Sequence, residues 1–423
     1  VTDLRRLMFL NRSYWPDVEA TGQLLTELCE ELVSTDGDSR PDVSRRYRIE
    51  VVVGKPNETR ESEGDTDWQL AQSRNGVHIR RVPHWQLSKR NMLLKSLNYM
   101  SFIRATGKYL KSCEAPDVVI FETDPFLLPF EAARLRRRTG CRVIGYLQDI
   151  YPDVAVALGK VPNNWAIRKL RASLFAIYRT CNCMVVLSED MKALLVAGGV
   201  DPEKIAIIPN WCDPESVQPV QLNRFRERFE LADRFVVMYS GNLGLTQRLE
   251  EFVAAAELLK DDPRIVFAFV GQGSQKPVLE ADVRRRQLTN VRFYDYQPKS
   301  ELAHSLSAAD LHLVPLTREL SQCLMPSKLY GILAAGRPYL TNAVPESELH
   351  RITREHQLGL IVKPGSVEAI AHSIREAVSK PDHLKTLGEN ARKLALTEFT
   401  REKSVQKFRT VLESVLSGQS LFA

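Results

Sequence analysis

Three stretches of the chain hold residue types suited to an anion, each at the start of a helical pattern that follows an apolar run. In Tyr239-Ser-Gly-Asn-Leu-Gly244, glycines let main-chain N–H groups approach a ligand, and the helix start beyond them favours negative charge. Gly241 and Asn242 are the candidates there. Val270-Gly-Gln-Gly-Ser274 repeats the form with Gly271 and Gln272. Close packing of a helix on a strand also calls for glycine, so both turns keep a purely structural reading beside the functional one. The third stretch runs from Met325 to Pro338. Pro326 and Ser327 have the chemistry of a helix start, and Gly336 and Pro338 that of its stop. Lys328 then falls in the first turn, where its charge opposes the helix dipole. A bound diphosphate would remove that conflict; a lysine turned to solvent would avoid it.

These turns need a scaffold that brings them to one edge. Short apolar runs predict strands at Leu7–Leu10, Ile49–Val53, Val118–Phe121, Arg142–Leu147, Cys183–Leu187 and Ile205–Ile208. Leu24, Leu25, Leu28 and Leu32 recur at helical spacing, and helical patterns also cover 92–111, 131–138, 165–179 and 190–197. Prolines 209, 214 and 219 make a linker. The alternation restarts with strands at 235–239, 265–270, 291–294, 311–314, 339–341 and 360–362, and ends in helices over 382–396 and 401–416. Alternation of this kind predicts an α/β fold of two doubly wound, Rossmann-like domains facing a central cleft, with ligands at the carboxyl ends of the strands. The expected borders are 1–212, completed by a last helix at about 401–423, and 213–400.

Composition narrows the class. Hydrophobic residues make up 44% and charged residues 26%, as in soluble globular proteins, and the net charge of +6 does not call for nucleic acid. Residues 80–180 carry 18 Lys/Arg against 7 Asp/Glu, while 36–67 is rich in acid, serine and glycine and reads as a solvated insert. The basic span is either an ordinary solvated face or one that meets anions. Seven scattered cysteines without a C-x-x-C pair indicate reduced, buried thiols rather than a zinc site or disulfide frame. No apolar run reaches about 18 residues and no stretch has signal-peptide form. The expected location is therefore cytoplasmic, with peripheral contact at the inner face of the membrane through 85–111. In that segment Trp85, Leu87, Leu97, Met100 and Phe102 mix with Lys89, Arg90, Lys95 and Arg104. It suits a helix lying on an anionic membrane, or a basic helix packed by its apolar side on the sheet.

Several motifs occur together in a familiar order. Val185-Val-Leu-Ser-Glu-Asp-Met191, Ile205-Ala-Ile-Ile-Pro-Asn-Trp-Cys-Asp213, Gly241-Asn-Leu-Gly244, Phe269-Val-Gly-Gln-Gly273, Ala309-Asp-Leu-His-Leu-Val-Pro315 and Pro326-Ser-Lys-Leu-Tyr330 resemble glycosyltransferase family 4. Tyr14-Trp-Pro-Asp-Val-Glu-Ala-Thr-Gly22 and Gln148-Asp-Ile-Tyr-Pro152 resemble its bacterial surface-polysaccharide branch, the fucosaminyltransferase-like enzymes. The resemblance runs along nearly the whole chain.

It implies a GT-B fold and a nucleotide-sugar donor, UDP-linked, used as substrate with no cofactor and no metal, and a lipid-linked saccharide acceptor, with retention of anomeric configuration. On that basis Gly22, Gly241, Asn242, Arg248, Gly271, Gln272, Tyr296, Gln297, Ser327 and Lys328 are assigned to the donor. Asp149, Glu122 and Asp124 go to the acceptor. Lys328 and Asp149 are the catalytic candidates, the first for charge developing on the leaving group, the second as a base or as a turn residue before Pro152. Many members carry two glutamates in the helix before Gly336-Arg-Pro338; here those positions hold Cys323 and Gly331. Asp36-Gly-Asp38 and Asp65-Thr-Asp67 have D-x-D spacing but lie in the acidic insert, away from any strand end. Two other readings stay open: a nucleotide-sugar 2-epimerase, and a non-catalytic partner subunit that kept the fold.

Overall fold

The computed structural model describes residues 4–17, 19–34, 46–56, 70–87, 92–244 and 247–419. The chain divides into two compact units, Val1–Pro209 with Ser404–Ala423, and Asn210–Lys403. The D-x-D pairs at 36–38 and 65–67, and Lys89 and Arg90, lie outside the described residues.

The first unit is built on strands β1 (Arg5–Leu10), β2 (Tyr47–Val53), β3 (Ala71–Arg74), β4 (Val77–Arg81), β5 (Val118–Phe121), β6 (Arg142–Tyr146), β7 (Cys183–Val186) and β8 (Ile205–Ile207). They form one sheet in the order β3-β4-β2-β1-β5-β6-β7-β8. Every pairing is parallel except β3 with β4. The run Val118-Val-Ile-Phe121 is apolar throughout because both faces of β5 are covered, and all four residues are 0% exposed. β1 and β5 are neighbours, with Leu10 opposite Phe121. From β1 the chain builds outward to β2 and β4, then returns to β5 and builds the other way. The β1/β5 edge is therefore the topological switch point, where such sheets leave a crevice at the carboxyl ends.

The β3–β4 hairpin is absent from the sequence-based expectation. Its turn is Asn75-Gly76, with φ of 45° and 82°, the left-handed pair that a two-residue hairpin requires. The Asn-Gly pair was a usable signal, but the flanking Ala-Gln-Ser-Arg is too polar to read as a strand.

The second unit contains β9 (Phe235–Ser240), β10 (Ile265–Val270), β11 (Val291–Tyr294), β12 (Leu311–Leu313), β13 (Tyr339–Thr341) and β14 (Gly359–Ile361). The sheet is parallel in the order β11-β10-β9-β12-β13-β14. Its switch point lies between β9 and β12, where Leu311 sits opposite Val237. Helices Leu249–Leu258 and Val367–Ser379 cover one face through Phe252, Val253, Ile370 and Ile374.

The last helix, Arg401–Ser417, belongs mainly to the first unit. Phe408 stacks on Phe9 of β1 at 6.3 Å between ring centroids and meets Tyr146 of β6 edge-on at 5.5 Å. The Ser404 hydroxyl donates to the Pro209 carbonyl at 3.0 Å, and Arg409 donates to the Glu31 carbonyl at 2.8 Å. Phe408 is 1% exposed, so Phe408→Ala is expected to destabilise the first unit by about 3–5 kcal/mol. Denaturant unfolding followed by circular dichroism checks this; a loss below about 1 kcal/mol would mean the helix adds little to that core.

Candidate functional site

At the β9/β10 edge of the second unit, the two glycine turns do lie side by side. The ladder runs one step past each strand: the Gly241 N–H donates to the Val270 carbonyl at 2.9 Å, and the Gly271 N–H to the Tyr294 carbonyl at 2.8 Å. Gly241 and Gly271 have φ of 140° and 144°, and a Cβ on Gly271 would lie 2.0 Å from the Gly241 carbonyl oxygen. Leu243 N–H donates to Gln272 O, and Gln275 N–H to Leu243 O, each at 2.9 Å. A Cβ on Gly273 would lie 2.3 Å from Leu243 O. These contacts engage part of the turns' main chain. The N–H groups of Gly241, Leu243 and Gly271 are spent on holding the turns together, and the glycines are needed because main chain meets main chain.

The cation is different. Lys328 extends from the start of the helix Lys328–Ala334 to the Gly241 turn, with Nζ 3.3 Å from the Tyr239 ring centroid. A Cβ on Gly241 would come within 3.2 Å of that nitrogen. The residue is partly exposed through its main chain, but Nζ is buried and has no hydrogen-bond partner. Burial pushes the ammonium well below its ordinary value of 10.5. The Tyr239 face supplies a cation–π contact, weaker than an ion pair. The Tyr239 hydroxyl is turned to the Asn242 carbonyl at 2.8 Å. Ser327 does not cap its helix as expected: it is itself helical, at φ −61° and ψ −29°, and its side chain accepts no capping hydrogen bond.

Beyond Gly271, the segment after β11 forms a polar loop. Gln272 donates to the Asp295 carboxylate, Lys276 Nζ reaches the same oxygen at 2.9 Å, and Gln297 donates to the Asp295 carbonyl at 2.8 Å. Tyr296 is 44% exposed and its ring edge lies 3.5 Å from the position of a Gly271 Cβ, an open aromatic surface at a strand end. Asn242 lies along the turn, its Oδ1 2.7 Å from where a Gly273 Cβ would sit. Arg248 is 58% exposed and pairs with Glu251 at 3.5 Å. It lines a cavity whose other residues do not include Gly241 or Lys328. Cys323 is buried, and Gly331 has only Leu306 Cδ1 within 4 Å of a notional Cβ, at 3.2 Å.

The first unit gathers a second constellation at its own switch point. Arg12, just past β1, lies 2.8 Å from Asp124, past β5, and 3.1 Å from Glu19. Ser13 donates to Glu19 at 2.8 Å. The Arg12 guanidinium also lies 5.7 Å from the Tyr99 ring centroid. Its side chain is 9% exposed, against 21% for Asp124 and 41% for Glu19. The Asp149 carboxyl is pushed up to about 6, first by burial and then by Asp124, and burial also raises the neighbouring Tyr151 hydroxyl. Arg12, Glu19 and Tyr99 were missed from sequence; the available signal was their place directly after the first strand or on the helix beside it.

One assignment needs correction here. Glu122 is 1% exposed, neither carboxylate oxygen has a hydrogen-bond partner, and burial, followed by Asp124, raises it well above the usual carboxylate range. It does not meet an acceptor. Gly22 is buried in the helix Ala20–Val33, where a Cβ would fall 3.1 Å from Ser13 Cβ and 3.3 Å from Tyr14 N. The absent side chain lets that helix close on the β1 loop.

The helix Met92–Leu110 buries some of its apolar side chains and exposes others. Phe102, Ile103, Thr106 and Leu110 are buried, whereas Leu97 is 44% and Met100 46% exposed, with Trp85 58% exposed just before it. Among the described residues no helix is long and apolar enough to cross a membrane, and no group of three or more His, Cys, Asp or Glu could hold a metal ion. The described cysteines are free, six buried and Cys212 partly so.

Comparisons with known proteins agree along the whole chain. The profile described as Glycosyltransferase Family 4 matches residues 43–216, and that described as Glycosyl transferases group 1 matches residues 222–394. WcaI of Escherichia coli strain K12, provisionally named a colanic acid biosynthesis glycosyl transferase, is 26% identical over 413 residues, covering 95% of this chain and 98% of that protein. Among solved structures, the sucrose-phosphate synthase of Thermosynechococcus elongatus superposes with a TM-score of 0.76 at 18% identity, covering 98% of this chain and 100% of that one. HepE of Anabaena, solved in complex with UDP-glucose, gives a TM-score of 0.71 at 14% identity, covering 97% and 99%. With the two profiles matched in this order over two Rossmann-like units, the chain belongs to glycosyltransferase family 4 and has the GT-B fold.

Proposed function

We propose that this chain transfers a hexose or aminosugar from a UDP-sugar to a lipid-linked saccharide, retaining the anomeric configuration and using no metal. The observation that carries the donor half is the buried, unpartnered ammonium of Lys328 beneath the Gly241 turn. A diphosphate at that turn supplies the missing acceptor, and negative charge that develops on the leaving phosphate meets a cation already in place. The exposed Tyr296 ring, with Gln272 and Gln297 around Asp295, offers a face and polar groups for the base. UDP is the nucleotide to test first because HepE was solved with UDP-glucose. The acceptor half is assigned to the Asp124–Asp149 group, where Glu19, Asp124 and Asp149 stand with Arg12 and Lys95 and can accept from hydroxyls.

The function is tested by supplying UDP-, GDP- and dTDP-sugars with polyprenyl-diphosphate saccharides and identifying the product anomer by NMR. No transfer and no nucleotide binding across the panel would sink it. Free UDP-GlcNAc converted to a second nucleotide sugar without acceptor would favour an epimerase.

Lys328→Met should weaken UDP binding by roughly 1.5–3 kcal/mol, the value of a hydrogen bond to a charged group, or about 10- to 150-fold in Kd. The same change should leave the free protein as stable or more so. The sign follows from the depressed ammonium: below its folded pKa the chain must keep a charge it would rather lose, so wild-type stability rises as pH climbs from that value toward 10.5. Isothermal titration and melting at several pH values read both effects; an unchanged Kd rejects the phosphate role.

Asp149, pushed up to about 6, must lose its proton to act as a base. Turnover should therefore rise with pH through about 6, and Asp149→Asn should remove that limb while lowering kcat by roughly 10²–10⁴-fold. A variant that keeps both the limb and the rate reduces Asp149 to a turn residue.

The exposed Leu97 and Met100 are proposed to rest on the membrane that carries the acceptor. Leu97→Glu with Met100→Glu should lower co-sedimentation with phosphatidylglycerol vesicles severalfold at unchanged melting temperature. Equal sedimentation would return the helix to a purely structural role.

A further inference from the structure

The carboxyl ends of β12, β13 and β14 open onto a cavity of about 610 Å³. Its polar side is built, not incidental. Asn342 is 3% exposed; its side-chain oxygen accepts from the Leu316 N–H at 3.1 Å, and its nitrogen donates to Glu251 Oε2 at 3.4 Å. Glu251, on the helix Leu249–Leu258, has a side chain only 14% exposed, and its other oxygen lies 3.5 Å from Arg248. Each carboxylate oxygen thus has one long contact and spare lone pairs. Val344 and Pro345 give the same cavity an apolar wall, and Lys363 stands at its exposed rim.

A carboxylate, an amide and a guanidinium set together beside an apolar wall suit a ligand with neighbouring hydroxyls and a C–H face. Each hydroxyl can donate to a carboxylate oxygen and accept from nitrogen, while the ring face lies on the apolar wall. Arg318 and Lys363 also line the cavity with Glu319, so it can take an anionic substituent on the same ligand, while the largely buried Glu251 and Asn342 answer hydroxyls. The volume falls within the roughly 300–1,000 Å³ of small-ligand sites.

We infer that this cavity is a saccharide subsite in which neighbouring hydroxyls bind Glu251 and Asn342, with Arg248 as a third contact. The inference rests on the glycosyl-transfer reading above. It reassigns Arg248 from the diphosphate to a sugar, and it supplies a carboxylate at the sheet end where positions 323 and 331 have none. The sugar can come from the donor or from the acceptor.

Saturation-transfer NMR on the full chain, with methyl glycosides of glucose, galactose, N-acetylglucosamine and glucuronate, tests it. At least one glycoside should give signals that survive saturating UDP and fall about tenfold or more in both Glu251→Gln and Asn342→Ala. Both variants should keep the wild-type thermal shift with UDP. Signals that UDP-glucose abolishes and UDP does not place the donor's sugar here; signals that survive both place the acceptor's saccharide here. The inference is overturned if no glycoside binds, if UDP alone displaces it, or if neither variant weakens it. Glycoside binding without any UDP shift would instead count against the donor assignment at Lys328, so the two failures are distinguishable.

Discussion

The lysine ammonium beneath the Gly241 turn sets the terms for everything around it. A buried charge without an acceptor is unfavourable, and three features make it tolerable. Gly241 has no side chain to occupy the space, Tyr239 offers its ring face, and the depressed pKa lets the group shed its proton. His312 of β12, buried nearby, is pushed down to about 4 by burial, while its Nε2 is engaged with the Leu306 carbonyl at 2.9 Å. It is neutral at ordinary pH and adds no second charge. The glycine turns serve this arrangement mechanically, because the N–H groups of Gly241, Leu243 and Gly271 hold the turns to one another and to β10 and β11.

The two units place different electrostatics at the same topological position. Each has a switch point with polar residues just beyond the strands, β1/β5 in one and β9/β12 in the other. In the first, Arg12 and Lys95 stand with Glu19, Asp124 and Asp149. In the second, the cation has no acidic partner. A site with surplus carboxylate favours hydroxyls, and one with an unmatched ammonium favours phosphate. That contrast supports the proposed division of acceptor and donor between the two units.

Much of the scaffold could be read from the chain because buried parallel strands leave continuous apolar runs, as in Val118–Phe121 and Ile265–Val270, both found at the expected positions. The polar β3–β4 hairpin escaped for the opposite reason: only its Asn75-Gly76 turn carries a signal. Lys328 was legible because a lysine at a helix start is a local conflict. The commitment of the Gly241 and Gly271 N–H groups was not, since it depends on which strands become neighbours. Arg12 was hidden likewise, because its partner Asp124 is distant in sequence and adjacent only once β1 and β5 pair. Glu122 was misjudged because a carboxylate at a strand end reads the same whether it turns to solvent or, as here, inward.

The choice of lysine over arginine at position 328 follows from the same burial. An arginine would stay charged at any working pH and would hold a diphosphate by a rigid fork. A lysine in this pocket is charged when a phosphate is present to stabilise it and tends to neutrality when the phosphate is gone. Under the proposed donor role, diphosphate binding would be linked to proton uptake at Lys328 and its release to proton loss. Its attraction for product is weaker than that of a permanent cation, which suits a site that must let go of a nucleoside diphosphate after each transfer. Such a site also needs sugar recognition that does not draw on the same charge, and the Glu251–Asn342 cavity supplies that recognition from a different part of the sheet end.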